Sequence, residues 1–87
     1  MKTYIKTFRI LLSQWFKAYR RSKQLSQEAM ASLLHITARS YIEIERGRSL
    51  CATKTLLFFL VALAEEEVLF LHAALKAAVK DAGEEAA

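Results

Sequence analysis

Along the chain, apolar and polar residues alternate at helical spacing. From Thr3 to about Lys23 the apolar positions are Ile5, Phe8, Leu12, Trp15, Phe16 and Tyr19, three and four apart, while Lys6, Arg9, Lys17 and Arg21 fall on other faces. This spacing predicts a first helix over 1–24, and Leu11, Leu12, Trp15 and Phe16 widen its apolar face beyond what a single neighbour would cover. A second, shorter pattern follows. Ser26 supplies a side-chain oxygen ahead of Gln27 and Glu28, an N-cap followed by an acid at the positive end of a helix dipole. Ala29, Met30, Leu33 and Leu34 give that helix an inward face, and it closes near His35.

Thr37 is the next N-cap, and Tyr41 and Ile44 form the inner face of a third helix, which Gly47 ends. Only His35 and Ile36 lie between these two helices. They must therefore cross steeply, with Ile36 buried in the elbow, which is the geometry of a helix-turn-helix. After a loop over 48–51, a fourth helix runs from Thr53 to Ala64. Its Leu56 to Leu63 segment is apolar all round, so more than one of its faces requires a cover. The acids Glu65, Glu66 and Glu67 then favour a new helix start, and Val68, Leu71, Leu75 and Val79 form its packing stripe. The pattern frays after Lys80, leaving 52–82 as a C-terminal helix pair and 83–87 as a disordered tail.

Composition narrows the class. The 87 residues suffice for one domain with one core, and 54% apolar residues with no proline and two glycines point to an all-α chain. Cys51 is the only cysteine, which excludes an intrachain disulfide or a CxxC motif and fits a reducing cytoplasm. It reads as a small apolar filler. Near the N-terminus the apolar residues are interrupted by Arg9, Ser13, Gln14 and Lys17, which the apolar core of a signal peptide would not tolerate, and the run Leu56 to Ala64 is far short of the roughly 20 residues that span a bilayer. Charge is lopsided: residues 1–24 carry +7, 25–54 carry +1 and 55–87 carry −4. A positive front and a negative back orient a molecule toward a polyanion.

From Leu25-Ser26-Gln27-Glu28 through Ile44-Glu45-Arg46-Gly47 the chain resembles, without a gap, the helix-turn-helix of the lambda-repressor-like family, also called XRE-type regulators. The resemblance implies a five-helix, all-α lambda-repressor-like DNA-binding domain. It also implies a transcriptional regulator, a repressor in the first instance, that binds double-stranded DNA sequence-specifically as a homodimer. In that family the second helix of the motif enters the major groove while the first crosses the backbone. Carried over by position, Gln27 lies beside a phosphate, and Ala38, Arg39, Ser40, Ile42 and Glu43 take outward positions. Thr37, Arg46 and Arg48 are placed for backbone contacts. Arg39 is the strong reader, because a guanidinium can donate to both O6 and N7 of guanine. Arg20 and Glu45 stand where the family pairs an arginine with the glutamate that closes the third helix, an ion pair that fixes helix orientation.

Three departures from the family pattern stand out. His35 replaces the usual turn glycine at a position that commonly takes positive φ. The outward face of the third helix is poor in long polar side chains and carries an acid, Glu43. The fourth helix has surplus apolar surface, which makes Leu56, Phe59, Leu60, Leu63, Phe70 and Leu71 candidates for a dimer interface. The alternative function is a protein-interaction module, such as an antitoxin-like regulatory subunit, that covers a protein partner with these helices. No nucleophile with a partner base, carboxylate dyad or phosphate-cradling glycine loop points to an enzyme, and His35 and His72 lack the companions of a metal site. No cofactor and no membrane partner is implied. Trp15, Phe16 and Tyr19 sit at helical spacing and read as core rather than as a base-stacking platform.

Overall fold

The computed structural model describes residues 2–86, with side chains over 4–83, and all its regular structure is helical. Helix α1 spans Lys2–Ser22, α2 Gln27–Leu33, α3 Ala38–Glu45, α4 Thr53–Ala62 and α5 Glu65–Ala86. The two long helices, α1 and α5, lie antiparallel. Trp15, Ala18, Tyr19 and Ser22 near the end of α1 share a groove with Glu66, Glu67, Phe70 and Leu71 near the start of α5. At the opposite end a Cβ on Gly83 would come within 3.1 Å of the Tyr4 hydroxyl, so glycine permits this close approach. This pair stretches the molecule to 40 Å in its longest dimension.

One core unites α1 to α4. Phe16, Met30, Ala31, Leu34, Tyr41, Ile44 and Phe59 are buried together, with Leu71 of α5 packed against them from outside. Phe16 is at the centre. Its ring meets Phe59 edge-on at 4.6 Å between centroids and Tyr41 at 6.3 Å, and Tyr19 meets Phe59 edge-on at 5.5 Å. Edge-to-face contacts of this kind favour one arrangement of the rings over a loose apolar cluster.

The helix ends explain how so short a chain turns sharply with only one glycine at a turn. Ser26 accepts from the Ala29 amide at 3.0 Å and Thr37 from the Ser40 amide at 3.1 Å, satisfying the exposed N–H groups at the starts of α2 and α3. The carboxylate of Glu67 accepts from the Ala64 amide at 2.8 Å, the reciprocal arm of a capping box at the start of α5. At their C-termini α1, α2 and α3 all close in Schellman motifs, with left-handed residues Gln24 (φ 58°), His35 (φ 59°) and Gly47 (φ 76°). The paired amide-to-carbonyl bonds are Gln24 to Arg21 with Leu25 to Arg20, His35 to Ser32 with Ile36 to Ala31, and Gly47 to Ile44 with Arg48 to Glu43.

Several details differ from the pattern-based expectations. Ala29 is exposed, and Ala31 fills the inner face of α2 in its place, because the buried arc is centred on Met30 and Leu34. Ile36 is half-buried in the elbow. Helix α4 buries Thr55 and Phe59 and packs Leu56 and Phe58 beside them, leaving Leu57 and Val61 56% and 83% exposed in the single chain. Phe59 is therefore a core residue and not part of an interface. Helix α5 does not fray after Lys80: Ala82 is buried, and the helix continues to Ala86. The expected tail is thus helical from 83 to 86, and Ala87 lies outside the described residues. No helix among the described residues is long and apolar enough to cross a membrane.

Candidate nucleic-acid interface

Helix α3 is held from behind by a polar network. Arg20 reaches from α1 and donates Nε to Glu45 Oε2 at 2.8 Å and Nη2 to Oε1 at 2.9 Å, a bidentate pair. Its Nη1 donates to the Leu25 carbonyl at 3.1 Å, tying the α1–α2 turn to the same group. Gln27 Nε2 donates to Glu45 Oε1 at 3.2 Å, and the Tyr41 hydroxyl donates to Oε2. A single carboxylate thus joins α1, α2 and α3. The expected ion pair is present, and it is part of a larger set of bonds than the sequence suggested.

Burial opposes a charge on Glu45, yet the hydrogen bonds from Arg20, Tyr41 and Gln27 outweigh it and hold the carboxyl down at about 2. Burial first, and then the bond to Glu45, push the Tyr41 phenol well above its ordinary value, so it stays protonated as a donor. The bond to Glu45 raises Arg20. No buried side-chain nitrogen or oxygen among the described residues lacks a hydrogen-bond partner. The network is therefore closed, the condition under which a buried ion pair fixes orientation without leaving an uncompensated charge.

The other side of α3 is open. Thr37, Arg39, Ser40 and Arg46 are exposed, and Ile42 and Glu43 are half-buried. Ala38 is also half-buried and packs against the core. Thr37 and Ser40 are bonded to one another at the cap, 3.0 Å between hydroxyl oxygens. Glu43 is joined to Arg48 at 3.6 Å, both partly in solvent. Arg39 remains exposed outside the ion pairs of the described residues, and it lines a groove with Ser40, Glu43, Leu50 and Cys51 between α3 and the loop that follows it. Gln27 is turned away from this side: its amide nitrogen is committed to Glu45, where sequence placed it beside a phosphate.

Of the six interface candidates, Phe59 is buried and Leu56, Leu63 and Leu71 are half-buried against the core. Leu60 and Phe70 are 36% and 72% exposed. Leu57, Val61 and Leu69, which the stripe pattern did not single out, are more exposed than Leu60. His35 stacks on Phe58 with ring centroids 4.2 Å apart, joining the α2–α3 turn to α4, and His72 is exposed on α5. Cys51 is half-buried beside Trp15 and Leu56, and burial raises its thiol pKa, which disfavours the reactive thiolate.

Two members of the network were missed in the sequence. Tyr41 lies one helical turn before Glu45, a spacing that puts a phenol and a carboxylate on one face and was legible in principle. Gln27 carries no spacing signal toward Glu45, which is 18 residues away in the chain and is met only through the fold. No family model, curated protein or solved structure matches the chain.

Proposed function

We propose that the chain is a helix-turn-helix DNA-binding protein of the lambda-repressor-like kind, a transcriptional regulator that inserts α3 into the major groove of double-stranded DNA. One observation carries this reading: the inner face of α3, at Tyr41, Ile44 and Glu45, is buried and hydrogen-bonded to α1 and α2, while Arg39 and Ser40 on the same short helix, with Thr37 and Arg46 at its caps, are exposed. A helix so fixed can present side chains to base edges without losing further conformational freedom. Arg39 is the guanine reader, Thr37 and Ser40 serve the backbone at the start of the helix, and Arg46 adds positive charge at its end. The basic charge of residues 1–24, including the exposed Arg21 and Lys23, adds to the attraction.

The protein acts as a homodimer in the cytoplasm, the two copies joined through the outer faces of α4 and α5, on half-sites about one helical turn apart. A salt titration on duplex DNA tests the reading. Affinity should fall steeply as salt rises, by about 0.9 in log–log slope for each phosphate neutralised. Absence of binding at low salt would overturn it.

A second reading has its own observation. Leu57, Val61, Leu69 and Phe70, all on α4 and α5, are 56%, 83%, 68% and 72% exposed, and apolar surface of this kind marks interaction sites where it is contiguous. These residues fit a protein-interaction module in which a different protein covers α4 and α5. A chain that sediments as a dimer and binds DNA favours the first reading. A chain that ignores DNA and self-associates only loosely favours the second.

A further inference from the structure

The outward side of α3 carries one acid, Glu43, among Arg39, Arg46 and Arg48. An acid facing DNA repels phosphate unless it is compensated, since a Debye length of about 8 Å at physiological salt leaves neighbouring charges only partly screened. The way α3 ends supplies the compensation. A Schellman motif sets the residue after the left-handed position over the residue five before it. In α1 that pair is Arg20 and Leu25, in α2 Ala31 and Ile36, and in α3 Glu43 and Arg48, with amide-to-carbonyl distances of 2.9, 3.0 and 3.0 Å. Of the three, the last joins opposite charges, and its side chains meet at 3.6 Å. The left-handed turn at Gly47 thus brings Arg48 back over Glu43 through the backbone itself.

We propose that Arg48 is a positioning residue that acts on DNA binding through Glu43. It neutralises and holds the acid of the outward face so that α3 can approach the phosphates, and it does not serve as a phosphate contact of its own. This inference rests on the DNA-binding reading above. It also gives the arginines around α3 different roles, since Arg39 is open to read a base whereas Arg48 is occupied by Glu43.

The test uses the full chain and duplex DNA of random sequence, with Arg48→Ala, Arg48→Lys, Glu43→Gln and the Arg48→Ala/Glu43→Gln double variant. Circular dichroism confirms equal helix content in each. Arg48→Ala should weaken binding about three- to five-fold, the range of an exposed ion pair, with the salt slope unchanged. Arg48→Lys should keep affinity within about two-fold on the same scale, and Glu43→Gln should bind at least as tightly as the native chain. The double variant should match Glu43→Gln. A loss in Arg48→Ala that persists with Glu43→Gln present, together with a slope lowered by about 0.9, marks a direct phosphate contact and overturns the inference alone. A native chain that does not bind DNA overturns the functional reading and the inference with it.

Discussion

The two ends of the fold are stabilised by different means. From α1 to α3, side chains from three helices converge on Glu45 with directed hydrogen bonds, and each buried polar side chain there has a partner. In α4 and α5 the contacts are mainly apolar and one-sided: Phe59 is buried in the core and Leu56, Phe58 and Leu71 pack against it, while Leu57, Val61, Leu69 and Phe70 face water. Directed bonds permit few geometries, whereas apolar contacts are tolerant of how their surfaces meet. The first region is accordingly suited to holding a helix at a set angle, and the second to accepting another surface.

The sharpest way to break the contrast is at the residue that joins the regions. Phe59→Glu places a charge in the core against Phe16 and Tyr19 and should unfold the chain, whereas Phe70→Glu on the exposed face should keep it folded and lower its melting temperature only by as much as the dimer contributes. Thermal melts of the two variants decide this. Equal effects would mean that α5 is as tightly covered as the core.

Within the polar network, Arg20→Ala leaves the Glu45 carboxylate buried without its main partner and should cost about 3–5 kcal/mol by urea denaturation. The same network sets the acid limb of stability. Glu45 has a folded-state pKa of about 2, below its ordinary 4.5, so its contribution is complete above 4.5 and is lost as pH falls toward 2. The native chain should lose up to about 3 kcal/mol over that window. Glu45→Gln should show a flatter acid limb, and an unchanged one would remove Glu45 as its cause.

These expectations also mark where sequence was sufficient. Ser26, Thr37, Tyr41, Ile44 and Gly47 announce the α2–α3 pair because caps, inward stripe and terminating glycine are local signals that agree with one another. The positive φ at His35 was legible from its place in the turn. Gln24 was not, since nothing in its residue type marks a left-handed turn; the Arg20 bond to the Leu25 carbonyl that stabilises it is visible only once α3 is in place. Phe59 was misread because an all-round apolar helix has no periodicity to separate its inner face from its outer one. The Arg20–Glu45 pair was legible, and so was the exposure of Arg39 on the outward side of α3. The bond from Gln27 to Glu45 and the approach of Arg48 to Glu43 were not legible, because a sequence does not reveal which carboxylate a polar side chain will meet.

The smallest expected effect concerns the turns. Gln24→Gly should stabilise the chain by about 0.5–1 kcal/mol, because glycine removes the cost of a left-handed backbone at an exposed position. His35→Gly should gain less or nothing, since it also gives up the stack on Phe58. Equal gains at both positions in urea melts would show that the stack contributes no stability.

The central claim, that the α1–α3 frame exists to present the outward side of α3 to DNA, is tested most directly by selecting bound sites from a random duplex pool with the native chain and with Arg39→Ala. The account predicts an enriched site for the native chain, and for Arg39→Ala loss of preference at one guanine with overall affinity reduced by about 1–3 kcal/mol. A pool that is not enriched by the native chain, or an identical site from both proteins, would contradict it.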